Sequence, residues 1–381
     1  MMLPLSLSPA LLLATAAARP PARPPAPPPP ASVEIGTPMG ETLFLEGFDM
    51  VWDRRPHRLR RLGVAATGGG DEARLRATAQ GGTWATGVKA SDVPRLRIDY
   101  GQLSADGVQF IPVRVRIPLQ GRAKGPDRVD VVPERTVPVE ITLPPGTATD
   151  ATLLPWLTGL DVSTLPSHEV GYTPHALGIS LGAPQRDGDL AVVHVQGRVE
   201  AAPVPDRNQQ LQDYRATLLV ELVLVVAEEA SGERVHAHKT LQRSVEPIAS
   251  PRRGAPFRVP MRAALPPDTR QVVMGLSGFS IEFDREGPTA GRYVRALTVG
   301  LRDPRVDPTR QTWSADADLR MSNAGELSRA IRVHGEVDAS LLFLTHPGAL
   351  GRGSWSPEGG TGCAAWPDLG AADCPADPGA P

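Results

Sequence analysis

Five arginines, Arg54, Arg55, Arg58, Arg60 and Arg61, crowd into eight positions of a chain whose formal net charge is only −2. Guanidinium groups grip phosphate, sulfate and carboxylate oxygens in pairs. The cluster is therefore the chain's anion-binding candidate, and an acidic glycan is the partner that suits it. The plainer expectation, preferred here, is a solvated charged loop balanced by Asp49 and Asp53.

His236 and His238 are two apart, so on a strand they share a face. Two imidazoles can begin a zinc or copper site, with His194 the nearest further candidate. Arg234 and Thr240 lie on the same face, while Val235, Ala237 and Leu241 fill the other. That pattern makes the histidine face the wet one, and no metal is expected there. Calcium is the one cofactor left open. Asp187 with Asp189, Asp303 with Asp307, and Asp316 with Asp318 could supply carboxylates. None has the alternating spacing of a calcium loop, and Asp187-Gly188 reads as a hairpin turn before a strand at Leu190.

Glu221 interrupts the most apolar run of the chain, Leu218 to Val226. A run this continuous predicts a strand covered on both faces. A carboxylate inside it is costly unless it pairs, and an arginine is the expected partner. No nucleophile elbow and no phosphate-cradling glycine loop occurs, so the chain is expected not to be an enzyme. The two cysteines, Cys363 and Cys374, stand together near the C-terminus and predict one local disulfide. In the chain-entropy model such a short loop stabilises by about 2–3 kcal/mol.

The elements that must position these residues are strands. Proline is abundant, at 41 residues, and alternating runs such as Phe110 to Ile117 and Val192 to Val195 recur between Pro/Gly punctuation. An all-β sandwich architecture follows, immunoglobulin-like or jelly-roll-like. One phrase occurs three times, as Leu45-Glu46-Gly47-Phe48-Asp49-Met50, Leu157-Thr158-Gly159-Leu160-Asp161-Val162 and Leu276-Ser277-Gly278-Phe279-Ser280-Ile281. Its glycines stand at 47, 159 and 278, a spacing of 112 and then 119 residues, which is the size of one small sandwich. Lead-ins at Ile141-Thr142-Leu143 and Ala263-Ala264-Leu265 precede the second and third phrases, and Ile35-Gly36-Thr37-Pro38 is a vestige before the first.

Leu45 and Phe48 are three apart, which strict alternation would place on opposite faces. A β-bulge at the glycine adds one residue and returns both to the core. The expected organisation is a leader at 1–18, a Pro-rich linker at 19–32, and three tandem sandwich repeats at 33–140, 141–259 and 260–350. A Gly/Pro/Ala-rich tail then occupies 351–381, with disordered termini.

Met1 to Ala18 resembles a secretory signal peptide, with Leu11-Leu12-Leu13 at its centre and Ala16-Ala17-Ala18 at its end, although no basic residue precedes it. It is too short and broken to span a membrane, and no span is expected after its removal. The proline-rich segment behind it would reach roughly 40 Å. Near-neutral charge and 4% aromatic content argue against nucleic acid. Lys89, Lys124 and Lys239 are the only lysines among 40 basic residues, a bias typical of a GC-rich bacterial genome.

The chain is therefore expected to be an exported, periplasmic or extracellular protein of the cell envelope. It would be structural, adhesive or ligand-binding, and its partner would be an envelope protein or an acidic glycan. The alternative is a metal-assisted hydrolase or carbohydrate-binding accessory protein with a site formed between loops.

Overall fold

A computed structural model describes residues 29–52, 58–82, 94–124, 128–131, 134–165, 173–202, 211–242, 257–283, 294–323, 332–357 and 362–365. Among these residues there is no α-helix, and none of the described segments is a helix long and apolar enough to cross a membrane. The strands are β1 (Ser32–Ile35), β2 (Glu41–Val51), β3 (Arg58–Thr67), β4 (Arg74–Gly82), β5 (Arg95–Ser104), β6 (Val108–Lys124) and β7 (Arg128–Val131). Next come β8 (Glu134–Thr142), β9 (Thr152–Leu165), β10 (Thr173–Leu181), β11 (Gln185–Asp187), β12 (Leu190–Ala202), β13 (Leu211–Ala227) and β14 (Ala230–Gln242). The last are β15 (Phe257–Ala264), β16 (Gln271–Phe283), β17 (Val294–Asp307), β18 (Thr312–Asn323), β19 (Arg332–Leu344), β20 (Ala349–Trp355) and β21 (Gly362–Ala365).

The local rule is alternation. In β8, Val137, Val139 and Ile141 are buried and their neighbours face water. β13 departs from it: Val220 to Ala227 is buried without a break, on both faces, as its unbroken apolar run requires.

The strands form three antiparallel sheets. Sheet I runs β1-β6-β13-β9-β3-β4-β21, with β7 also against β6. Sheet II runs β11-β12-β10-β16-β19-β14, with β8 against β12, and sheet III runs β15-β18-β17-β2-β5-β20. One recipe underlies all three. The six-strand series β6-β13-β9-β3-β4-β21, β14-β19-β16-β10-β12-β8 and β20-β5-β2-β17-β18-β15 correspond position by position.

Each glycine phrase lies at the middle of its sheet, on β2, β9 or β16, and each carries a register shift. Leu45 faces Tyr100 and Gly47 faces Asp99, which leaves Glu46 as the extra residue. Thr158 is the extra residue between Leu157 and Gly159, and Ser277 between Leu276 and Gly278. Leu45 with Phe48, Leu157 with Leu160, and Leu276 with Phe279 all bury in the same core, as the three-residue step predicts.

The arrangement of the sheets differs from three sandwiches in succession. β2 and β5 pack over β3 and β4; β6 and β13 pack over β12; β16 and β19 pack over β17 and β18. These are three two-layer lobes, but each sheet runs through two of them, and β2, β9 and β16 touch one another where the lobes meet. The cause is the strand that follows each hairpin-like corner. β6 leaves β5 and pairs with β13, β14 leaves β13 and pairs with β19, and β20 leaves β19 and pairs with β5. A single apolar core consequently runs through residues of all three stretches. A smaller core of Phe44, Trp156, Val273 and neighbours lies on the other face near the corners, where the Phe44 and Trp156 rings meet at a 41° tilt with centroids 4.7 Å apart.

The C-terminal stretch also departs from a disordered tail. Residues 349–355 and 362–365 are strands, because β5 and β4 offer them edges. β8 and β15 run into the two lead-ins and pair with β12 and β18. The matching place beside β4 is filled by β21, from the far end of the chain. The vestigial lead-in before the first phrase adjoins β1, which pairs with β6 instead.

Candidate functional site

The polar face of each sheet, opposite the main core, has a trough of small residues at its centre. Gly47 lies beside Gly300, Gly159 beside Ala65, and Gly278 beside Ser180. On the other flank of each glycine stands an acid: Asp99, Glu221 and Asp338. These acids follow their glycines by 52, 62 and 60 residues. The glycines are there for room. A Cβ on Gly47 would fall 2.5 Å from Gly300 Cα, and one on Gly159 would fall 2.6 Å from Glu221 Oε2.

In sheet I, Glu221 is 4% exposed and accepts hydrogen bonds from Arg114 (Nη2 2.8 Å, Nε 3.0 Å) and Arg76 (Nη2 3.0 Å). Beside it Asp161 accepts from Arg61 at 2.6 and 3.0 Å, over Gly63. In sheet III, Arg302 lies across the glycine pair and joins Asp99 (2.8 Å) to Asp318 (3.3 Å). Arg97 and Ser354 also donate to Asp99, and Arg352 holds Glu46, the bulge residue, at 2.7 Å. Burial pushes the carboxyls of Glu46 and Asp318 above their ordinary range, against the pull of Arg352 on one and of Arg258 and Arg302 on the other.

Sheet II carries the most open version. Asp338 accepts from Arg234 (2.5 Å) and pairs with His236 Nδ1 (2.7 Å), and Glu336 pairs with His238 Nδ1 (3.1 Å). Both histidines are about half exposed, as the alternation of β14 predicts.

Comparison with family models, with curated proteins and with solved structures finds no match. The chemistry open to this chain therefore rests on its own geometry.

Of the arginine cluster, Arg54 and Arg55 lie outside the described residues. Arg58 and Arg60 are placed in β3 by backbone alone, and Arg61 serves the Asp161 pair. His194 lies on β12, four strands from His236 on β14, or about 19 Å by strand spacing. Among the described residues no three His, Cys, Asp or Glu side chains are grouped to hold a metal. Asp187-Gly188-Asp189 is a hairpin turn, with Gly188 at φ 58°. Asp303 pairs with Arg258, and Asp307 accepts from the amides of Thr309 and Arg310. Cys363 lies in β21, and Cys374 lies outside the described residues. Sequence reasoning missed Asp99, Asp161 and Asp338. The one sequence signal of Asp99 and Asp338 is an offset of 52 and 60 residues from a phrase glycine, which strand pairing alone makes meaningful; Asp161 stands inside the second phrase, two residues after Gly159.

Proposed function

We propose that the chain is an exported, non-catalytic protein of the cell envelope or exterior that serves as a rigid structural, adhesive or ligand-binding scaffold. The supporting observation is the state of the trough charges. Asp99, Asp161, Glu221 and Asp338 all hold arginines that reach across neighbouring strands or along their own. Carboxylates bound this way lock register rather than meet a substrate.

The connections after β2, β9 and β16, and after β4, β12 and β18, leave from corresponding strand ends. Connections on a rigid frame are natural binding surfaces, and Arg54 and Arg55 lie in the sequence between β2 and β3. An acidic glycan or an envelope protein is the partner proposed for that end. A Cys363–Cys374 disulfide would fasten the closing strand β21 to its place beside β4, as suits an oxidising compartment.

Cell fractionation with N-terminal sequencing tests this reading. The expected result is a mature chain starting at Arg19 in the envelope or medium; a cytosolic chain retaining Met1 overturns export. Stoichiometric zinc or copper, lost when His236 and His238 are replaced by alanine, would overturn the metal-free scaffold.

A further inference from the structure

The three sheets match in strand order but not in what covers their outer edges. Beyond β6, in sheet I, lies β1. Beyond β14, in sheet II, no strand pairs among the described residues, although β15 of sheet III packs against β14. The two edges correspond residue by residue. Arg114 faces Glu221, and His236 faces Asp338, the acids opposite Gly159 and Gly278. The stretch of β6 that β1 covers is Val113–Arg116, so its counterpart on β14 is Val235–His238. Val235 and Ala237 are buried like Val113 and Val115, while His236 and His238 face outward like Arg114 and Arg116. β20 offers no equal edge, because it ends at Trp355, one residue past the position that corresponds to Arg114.

What suits such an edge can be read from β1. Val33 lies beside Val115, Ile35 beside Val113, and the Glu34 carboxylate is 3.5 Å from Arg114. Val33 and Ile35 remain 39% and 45% exposed, so β1 is held mainly by backbone pairing. We propose that the outer edge of β14 accepts the N-terminal strand Ser32–Ile35 of a second copy of this chain. Added antiparallel in the β1–β6 register, that strand lays Ile35 and Val33 along Val235 and Ala237. It sets Glu34 against His236, with Arg234 on the same face. The exchange trades one set of ladder hydrogen bonds for an equal set, so concentration decides its extent. The contact is heterologous and leaves the donor's own β6 edge open, so copies can link in series.

Paired cysteines test the proposal in the full chain. Glu34→Cys with His236→Cys, mildly oxidised, is expected to give a ladder of dimers and higher multiples on a non-reducing gel, with a 34–236 linked peptide found by mass spectrometry. Glu34→Cys with Arg114→Cys fastens the arm to its own sheet and is expected to give no such ladder. Thermal melts of both variants confirm folding. A folded Glu34→Cys/His236→Cys variant that stays monomeric at high concentration, or whose linked peptide is intramolecular, overturns it.

Discussion

Arg76 Nη2 and Glu221 Oε2 are 3.0 Å apart, although two whole strands, β3 and β9, lie between the strands that carry them. Three strand spacings put their backbones about 14 Å apart. Two long side chains close that distance because the row between them holds only Gly159 and Ala65. Arg302 makes the same kind of bridge over Gly47 and Gly300, from Asp99 to Asp318. The phrase glycines thus do two things. They sit at the bulge, and they clear the floor over which charged side chains tie the flanking strands together.

The three glycines should not be equally sensitive. An added methyl at Gly47 meets backbone on both near contacts, Gly300 Cα at 2.5 Å and Val299 O at 2.7 Å. At Gly159 the nearest atom belongs to the Glu221 side chain, and at Gly278 the closest contact is 2.9 Å. Gly47→Ala is expected to destabilise most, by about 3 kcal/mol, and Gly278→Ala least, by about 1 kcal/mol. Urea unfolding midpoints rank the three, and a reversed order would contradict the close-approach account.

Glu221 is buried and held by two arginines, Arg76 and Arg114. Glu221→Ala leaves Arg76 and Arg114 facing each other across an empty trough, and should cost about 2 kcal/mol. Both guanidiniums still reach water, which keeps the loss below that of a fully buried pair. Arg76→Ala should cost less, because Arg114 continues to hold the acid by two hydrogen bonds. Denaturation of the two single variants and the double variant gives the coupling energy; purely additive losses would mean that the bridge contributes nothing.

How far the sequence reveals this molecule depends on the range of the interaction. Short-range features are legible: the three-residue step from Leu45 to Phe48 announces the bulge, and the alternation around His236 and His238 announces an open face. The arginine partners of Glu221 follow from the cost of a buried carboxylate. Long-range pairing is not legible. β6 alternates alike whichever sheet it joins, and nothing local tells it to leave β5 and pair a hundred residues onward. β20 is hidden by Gly351 and Gly353, which weaken any strand pattern. Arg61 reads as loop charge until Asp161 appears beside it on the neighbouring strand.

Shared sheets make a prediction about fragments. Residues 33–140 contain β6 without β13, and β2 without β17. Ile111, Val113, Val115 and Ile117 of β6 would lose the partner strand that covers them. The excised fragment is therefore expected to aggregate or melt without a cooperative transition, whereas the whole chain unfolds in one. Calorimetry of both checks this, and a monomeric fragment with its own sharp transition would show that the first lobe is self-sufficient.

Glu46 and Asp318 set the sign of a pH effect. Burial lifts both carboxyls above their ordinary range in the folded chain. The folded state therefore keeps a proton across a window in which the unfolded chain has released it. The stability these groups allow is fully present below the ordinary carboxylate range and is lost as pH rises through the lifted values. Glu46→Gln and Asp318→Asn have no such proton to lose, and the amide oxygen that Glu46→Gln introduces can still accept from Arg352. The double variant should therefore gain on the parent between about pH 4 and about pH 7, while other carboxylates shift both proteins alike. Urea midpoints at the two ends of that range measure the difference. If the variant instead falls behind at neutral pH, ionised Glu46 and Asp318 are net stabilisers, and their arginines outweigh their burial.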